Sequence, residues 1–227
     1  HSPEQSGVHE MLTAIGGIPE IMAETFGLLI QHRPTESELT RVKRNREIVQ
    51  ELTKPGVLSD PRHAYDVANA ALTVGDLPKA NEAIGAAIIH AQNDMDRYVY
   101  RLGRAFIKMM ENNNEGMLNE AFAAIGILPE LRDGYFVACE AFYRMAKWLS
   151  VIEWYERGVC KTPTLLSRDQ PLESFTVPRA QAALTYLWTG QGEKALKCIE
   201  AMEREYPLAG LTVEVGAKVR QGMAQQQ

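Results

Sequence analysis

The stretch Tyr135-Phe136-Val137-Ala138-Cys139-Glu140-Ala141-Phe142, followed by Val151-Ile152-Glu153-Trp154-Tyr155 and closed by Pro163, decides how this chain folds. Tyr135, Ala138 and Phe142 recur at three and four residues, so on a helix they share one face. Val151, Ile152, Tyr155 and Val159 do the same on a second helix. Small residues at Ala138 and Cys139 let the second helix approach closely, and the large aromatics fill the remaining gap. Neither helix can bury its stripe alone, so the pair has to stack on neighbouring pairs.

These positions resemble the W-x2-L-G-x2-Y, A-x3-F, P spacing of a tetratricopeptide repeat. Three further copies lie on the same frame. Arg179, Ala182, Ala183, Tyr186, Ala195, Ile199 and Pro207 form one, 44 residues later (179 minus 135), with its turn at residues 189–193. Ala64, Val67, Ala68, Ala71, Ala80, Ile84 and Ala87 form another, with Gly75-Asp76 as the turn. Between them Val99, Leu102, Gly103 and Phe106 start 35 residues after Ala64 (99 minus 64) and 36 before Tyr135 (135 minus 99). The turn at residues 112–116 there reads about three residues too long for a period near 34. With that allowance Leu118, Phe122 and Ile125 take the second-helix positions. An ordinary irregular helical domain would match the apolarity, but not the agreement in small and large residues across four registers. The expected fold is all-α, a TPR-like α-solenoid of about four helix-turn-helix repeats. It is expected to occupy residues 35–227, after a leading segment, 1–34, that can contain a strand.

The composition agrees. A chain of 227 residues is long enough for one sizeable core or one repeat array. Its 45% hydrophobic and 23% charged content is that of an ordinary globular protein. A net charge of −5 argues against nucleic acid as the primary partner. No apolar run approaches the ~20 residues of a bilayer span. Cys139, Cys160 and Cys198 are odd in number and never spaced C-x-x-C, which suits reduced packing residues of a cytoplasmic protein.

Residues 1–34 fall outside the repeat pattern. Gly16-Gly17-Ile18-Pro19 interrupts any helix begun at Val8, and the short apolar run 26–30 fits a strand or a helix end equally. Thr35 and Glu38 form a capping box opening a helix striped with Leu39, Val42, Val49 and Leu52. Arg41, Lys43, Arg44 and Arg46 cover its other faces, as a solvated surface or as a docking surface for an acidic partner. Asp60-Pro61 starts the first repeat with an acidic cap and a proline in the first turn. A long connection, 160–177, separates the last two repeats and accounts for their 44-residue spacing. Leu211, Val215 and Val219 predict a terminal helix covering the exposed edge of the last repeat.

Signatures of chemistry are sparse. Neither G-x-x-x-x-G-K-S/T nor G-x-G-x-x-G occurs. His9-Glu10 starts like a zinc helix, but Thr13 stands where a second histidine is needed. Glu203 and Glu205 read as solvated helix surface, and a hydrolase built in the 160–177 connection is a third reading. Arrays of this kind bind other chains through their concave face. There the first-helix residues Tyr65, Asn69, Tyr100, Arg104, Phe136 and Glu140 are the candidate partner-binding set. A Lys/Asn clamp for a peptide's terminal carboxylate is not complete, since Asn69 is followed at equivalent positions by Arg104, Glu140 and Leu184.

A second resemblance reaches beyond the repeats. Gly7-Val8-His9-Glu10-Met11-Leu12 resembles the end of the catalytic domain in family 2 glycosyltransferases of the GT-A type, and residues 27–32 its final strand. Residues 43–52, Asp60-Pro61-Arg62, the Gly75-Asp76 turn and residues 186–190 are similar to the repeat region that follows in bacterial members. The resemblance implies a C-terminal TPR-like module that positions a protein acceptor or self-associates, with His9 a divalent-metal ligand only if a catalytic domain precedes it. This chain alone is then not catalytic and needs no cofactor. The alternative is a free-standing scaffold or chaperone-type adaptor with no enzymatic role.

Overall fold

A computed structural model of the chain describes residues 57–162 and 171–225, together with the isolated positions Thr40, Lys43 and Glu47. A 3-10 turn, Val57–Ser59, leads into α1 (Pro61–Thr73), α2 (Leu77–His90), α3 (Asp94–Met110), α4 (Asn114–Ile127), α5 (Asp133–Arg144), α6 (Trp148–Val159), α7 (Pro171–Trp188), α8 (Gly192–Glu205) and α9 (Gly210–Gln225). The described residues contain no strand, only an isolated parallel bridge between Leu131 and Thr162. The fold is all-α and tetratricopeptide-like, each repeat being an antiparallel helix pair. The described helices form two compact units, α1–α4 in one and α5–α9 in the other, which part after Pro129. The sequence carries no mark of that division, and the expected boundary between 34 and 35 lies outside the described residues.

One turn is built four times. Gly75, Asn112, Ala146 and Gly190 each take a positive φ, between 54° and 79°, at the junction of the paired helices. The next residue sends its amide back across the helix end: Asp76 to Ala71, Asn113 to Lys108, Lys147 to Phe142 and Gln191 to Tyr186, at 2.7–2.9 Å. A left-handed residue at this place satisfies carbonyls the ending helix would leave orphaned. Glycine does so without strain, while Asn112 and Ala146 carry a side chain there. Asp76 and Asn113 then cap the next helix, accepting from the amides of Lys79 and Gly116.

In the first unit, small residues let α1 and α2 approach closely. Ala64, Val67, Ala68 and Ala71 meet Ala80, Ala83, Ile84 and Ala87, all at most 1% exposed. Helix α3 then presses on this pair at Gly103, where an added Cβ would come within 3.2 Å of the Tyr65 ring and 3.4 Å of Ile84. The second helix pair departs from the expected register. Helix α3 has 17 residues against 13 in α1 and 12 in α5, so its turn arrives late. The left-handed residue follows its first motif position by 13 residues (112 minus 99) rather than 11 (75 minus 64, 146 minus 135). The excess is therefore two residues, not three, and α4 buries Met117, Ala121 and Ala124. Leu118 and Ile125 are only half-buried and Phe122 is exposed, because a one-residue slip turns a helix by about 100°.

In the second unit the motif positions of α5 and α6 are core. Tyr135, Ala138, Cys139, Phe142, Val151, Ile152 and Tyr155 are all at most 8% exposed. Val159, expected on the same stripe, is exposed instead. Gly158 takes the buried place, since a Cβ there would stand 2.7 Å from that of Tyr135. Ala182, Ala183, Ala195 and Ile199 close the last repeat, and Val215 and Val219 of α9 cover it as expected. The 160–177 connection is shorter than the sequence suggested. Pro178, which directly follows the expected connection, lies inside α7, which begins at Pro171. Proline is tolerated in a helix interior when surrounding packing offsets its missing donor, and Pro178 is buried. Of the helix expected from Thr35, the positions Thr40, Lys43 and Glu47 are helical and exposed, while the capping box and arginines lie outside the described residues.

Candidate functional site

The candidate partner-binding residues occupy the first helices of repeats in both units. In the first unit, Tyr65 of α1 and Tyr100 of α3 hold their ring centroids 5.0 Å apart. Asn69, one turn after Tyr65, hydrogen-bonds its hydroxyl, while burial raises that hydroxyl's pKa. Tyr100 is 4% exposed, and burial with Asp96 nearby raises its pKa too. The pair is thus neutral, packed and only partly open to solvent. Arg104 belongs to a different group. Its Nε lies 3.5 Å from one oxygen of Glu120 on α4, whose other oxygen accepts from Arg101 at 2.8 Å. In the turn-anchored register Arg104 stands where the other repeats have Val67, Ala138 and Ala182, and Arg101 where they have Ala64, Tyr135 and Arg179, and Glu120 pairs with both inside the helix pair.

In the second unit Phe136 is core. Its ring stacks on Tyr155 with centroids 6.2 Å apart, and the Arg132 guanidinium lies 5.6 Å from its centroid. Glu140 has both oxygens engaged, one by Arg144 at 2.5 Å and the other by the Gln181 side chain from α7. Leu184, the last clamp-equivalent position, is half-buried and packs against the core cluster. The structure therefore brings Tyr65, Asn69 and Tyr100 together, while Arg104, Phe136 and Glu140 each serve a local network.

The more open feature was not singled out from sequence. At one corner of the second unit, Tyr143 at the end of α5, Trp148 at the start of α6 and Trp188 at the end of α7 converge. Trp148 and Trp188 meet edge to face with centroids 4.9 Å apart, and Tyr143 lies 5.6 Å from Trp148 and 6.2 Å from Trp188. Trp188 is 53% exposed and the adjoining Leu149 76%. The available signal was aromatics at places where the repeat pattern requires none.

His9 lies outside the described residues. Among the described residues no group of three or more His, Cys, Asp or Glu side chains is arranged to hold a metal ion. No described helix is long and apolar enough to cross a membrane. The three cysteines are free, Cys139 and Cys198 buried and Cys160 exposed, so the packing role expected from sequence fits the first two only.

No family model and no curated protein matches the chain. Among solved structures it is similar to YrrB, described as a TPR protein with an unusual peptide-binding site, at a TM-score of 0.52 and 10% identity, over 95% of this chain and 94% of that one. It is also aligned with MamA at a TM-score of 0.49 and 13% identity, over 81% of this chain and 91% of that one. At such identity the likeness to YrrB establishes the fold alone. The residues most distinctive of the glycosyltransferase resemblance, 7–32, lie outside the described ones.

Proposed function

Taking a tetratricopeptide-type fold as the premise, we propose that this chain is a protein-interaction scaffold that binds a peptide segment of a partner. The observation that carries the reading is the aromatic corner of Tyr143, Trp148 and Trp188 with Leu149 beside it. Leaving a large apolar side chain in water forgoes about 1.5–3 kcal/mol of burial, a cost that a partner recovers on docking. Tryptophan and tyrosine are also the side chains on which interface energy concentrates. The peptide-binding site ascribed to YrrB supports a peptide as the first ligand class to try. The scaffold reading requires no glycosyltransferase parent, and nothing found in the comparisons favours one.

The test is selection of peptides from a random display library on the whole chain, followed by affinity measurement on Trp188→Ala and Leu149→Asp. Selected peptides are expected to lose about tenfold or more in affinity on both variants, with circular dichroism unchanged. Equal affinity for wild type and both well-folded variants rejects the corner as the binding surface. Sedimentation velocity adds a second arm: a dimer that Leu149→Asp dissociates would assign the corner to another copy of the chain.

A further inference from the structure

The aromatic corner offers a partner a defined set of groups. Tyr143 and Trp188 lie within 24° of parallel, and Trp148 stands at 72° to the first and 63° to the second. The three centroids are 4.9–6.2 Å apart, separations at which rings pack on one another. No ring-lined gap the size of an ammonium is left between them, so the corner is a stepped platform and not a cation cage. Exposed Lys147, next to Trp148, disfavours a cationic ligand further. The other charges around Tyr143 are engaged, Glu140 by Arg144 and Gln181, and Lys218 by Glu214. The polar atoms of the rings are not. Among the described residues the Trp148 and Trp188 indole N–H groups and the Tyr143 hydroxyl make no hydrogen bond. An indole nitrogen only donates. Burial, then the nearby Glu140, raise the pKa of the Tyr143 hydroxyl and keep its proton available.

Apolar faces edged with donors match a chain that presents apolar rings and bare acceptors. We propose that the corner receives a proline-rich segment in the polyproline II conformation. This names the ligand class of the site described above and rests on the peptide-binding reading. A polyproline II helix makes no internal hydrogen bonds, so its carbonyls are free to accept from Trp148, Trp188 and Tyr143. Proline brings no N–H, so it adds no donor for which the rings would have to supply an acceptor. Its pyrrolidine rings give the indole faces and Leu149 their apolar contact. Conformational entropy points the same way. Three rings and one leucine are a small patch, and ordering a flexible backbone on it costs free energy at every residue fixed. Proline arrives with φ already set, so less affinity is lost to ordering. With about three residues per turn, Pro-x-x-Pro is the shortest motif that turns two prolines to the same side.

The probe is labelled decaproline with acetylated and amidated ends, titrated with the whole chain and read by fluorescence polarisation. A Gly/Ser peptide of equal length is the control. Decaproline is expected to bind saturably, the Gly/Ser peptide not, and Trp188→Ala and Leu149→Asp are each expected to weaken binding about tenfold. Trp188 is 53% and Leu149 76% exposed, so both variants keep the fold, with circular dichroism as the check. The corner-dependent peptides of the display selection are expected to carry proline at a spacing of three. Decaproline binding indifferent to both substitutions places it elsewhere and overturns the proposal. If decaproline fails to bind while proline-free selected peptides still lose affinity in Trp188→Ala, the proposal falls and the peptide-binding reading stands. If no peptide of either kind depends on Trp188 and Leu149, both fall.

Discussion

Gly158 and Gly85 show how much a single hydrogen can decide. Both lie in helices, where alanine is intrinsically favoured by about 1 kcal/mol. At Gly85 an added Cβ meets nothing within 4 Å, so Gly85→Ala should raise stability by about 0.5–1 kcal/mol in urea unfolding. At Gly158 the added carbon stands 2.7 Å from the Tyr135 Cβ and 3.2 Å from the Phe136 ring. Strain of about 1–3 kcal/mol then outweighs propensity, and Gly158→Ala should lower stability. If the two variants shift the urea midpoint the same way, the close approach of α5 and α6 is not as described. The cysteines give a second contrast. Burial raises the thiol pKa of Cys139 and Cys198, and Cys160 is exposed. A thiol-disulfide reagent should therefore modify one cysteine per native chain rapidly, Cys160, and the others only on unfolding. Loss of the fast phase in Cys160→Ser identifies it.

Between elements, Glu156 joins α6 to α7 and α8 through Tyr186 and Lys194. The Lys194 hydrogen bond, then that of Tyr186, hold its carboxyl below the usual carboxylate value of 4.5. A depressed carboxyl stabilises the fold at pH above the unfolded value and loses that contribution as pH falls through the folded one. Stability should thus drop between about pH 5 and pH 3 more in wild type than in Lys194→Met, as read from urea midpoints at each pH. Equal slopes would place the ion pair among the surface pairs that contribute nothing measurable. The same scale holds the clearest difference between expectation and structure. Helix α3 runs longer before turning and buries Tyr98, Tyr100, Ala105 and Ile107, while the expected positions Val99, Leu102, Gly103 and Phe106 are only half-buried and Arg101 and Arg104 pair with Glu120. Apolar periodicity identifies a helical face, but turn position depends on where the left-handed residue falls, and Asn112 is a weaker signal than Gly75 or Gly190.

At the scale of the molecule, energy in stacked helix pairs is carried between neighbours. Ile199 is fully buried in the core of the second unit. Ile199→Ala should cost about 2–5 kcal/mol. Native-state hydrogen exchange should show the acceleration concentrated in amides of Glu130–Gln227, with those of α1–α4 affected less. Uniform acceleration of both units would mean that the whole chain opens as one cooperative block.

The sequence by itself determined the helix pairs and most of their buried faces. Ala64 to Ala87, Tyr135 to Tyr155 and Ala182 to Ile199 are legible because helix packing demands small and large residues at fixed offsets, and that demand is local. It also indicated the covering helix at Val215 and Val219. Only the tertiary structure decided the register of the second pair, the backward extension of α7 past Pro178 and the division after Pro129. It likewise assembled the corner of Tyr143, Trp148 and Trp188 and the contact of Glu156 with Tyr186 and Lys194. These gather side chains from helices separated along the chain, at positions the repeat leaves unconstrained. A periodic pattern records what each helix must bury against its neighbours, and it says nothing of what the neighbours jointly leave open.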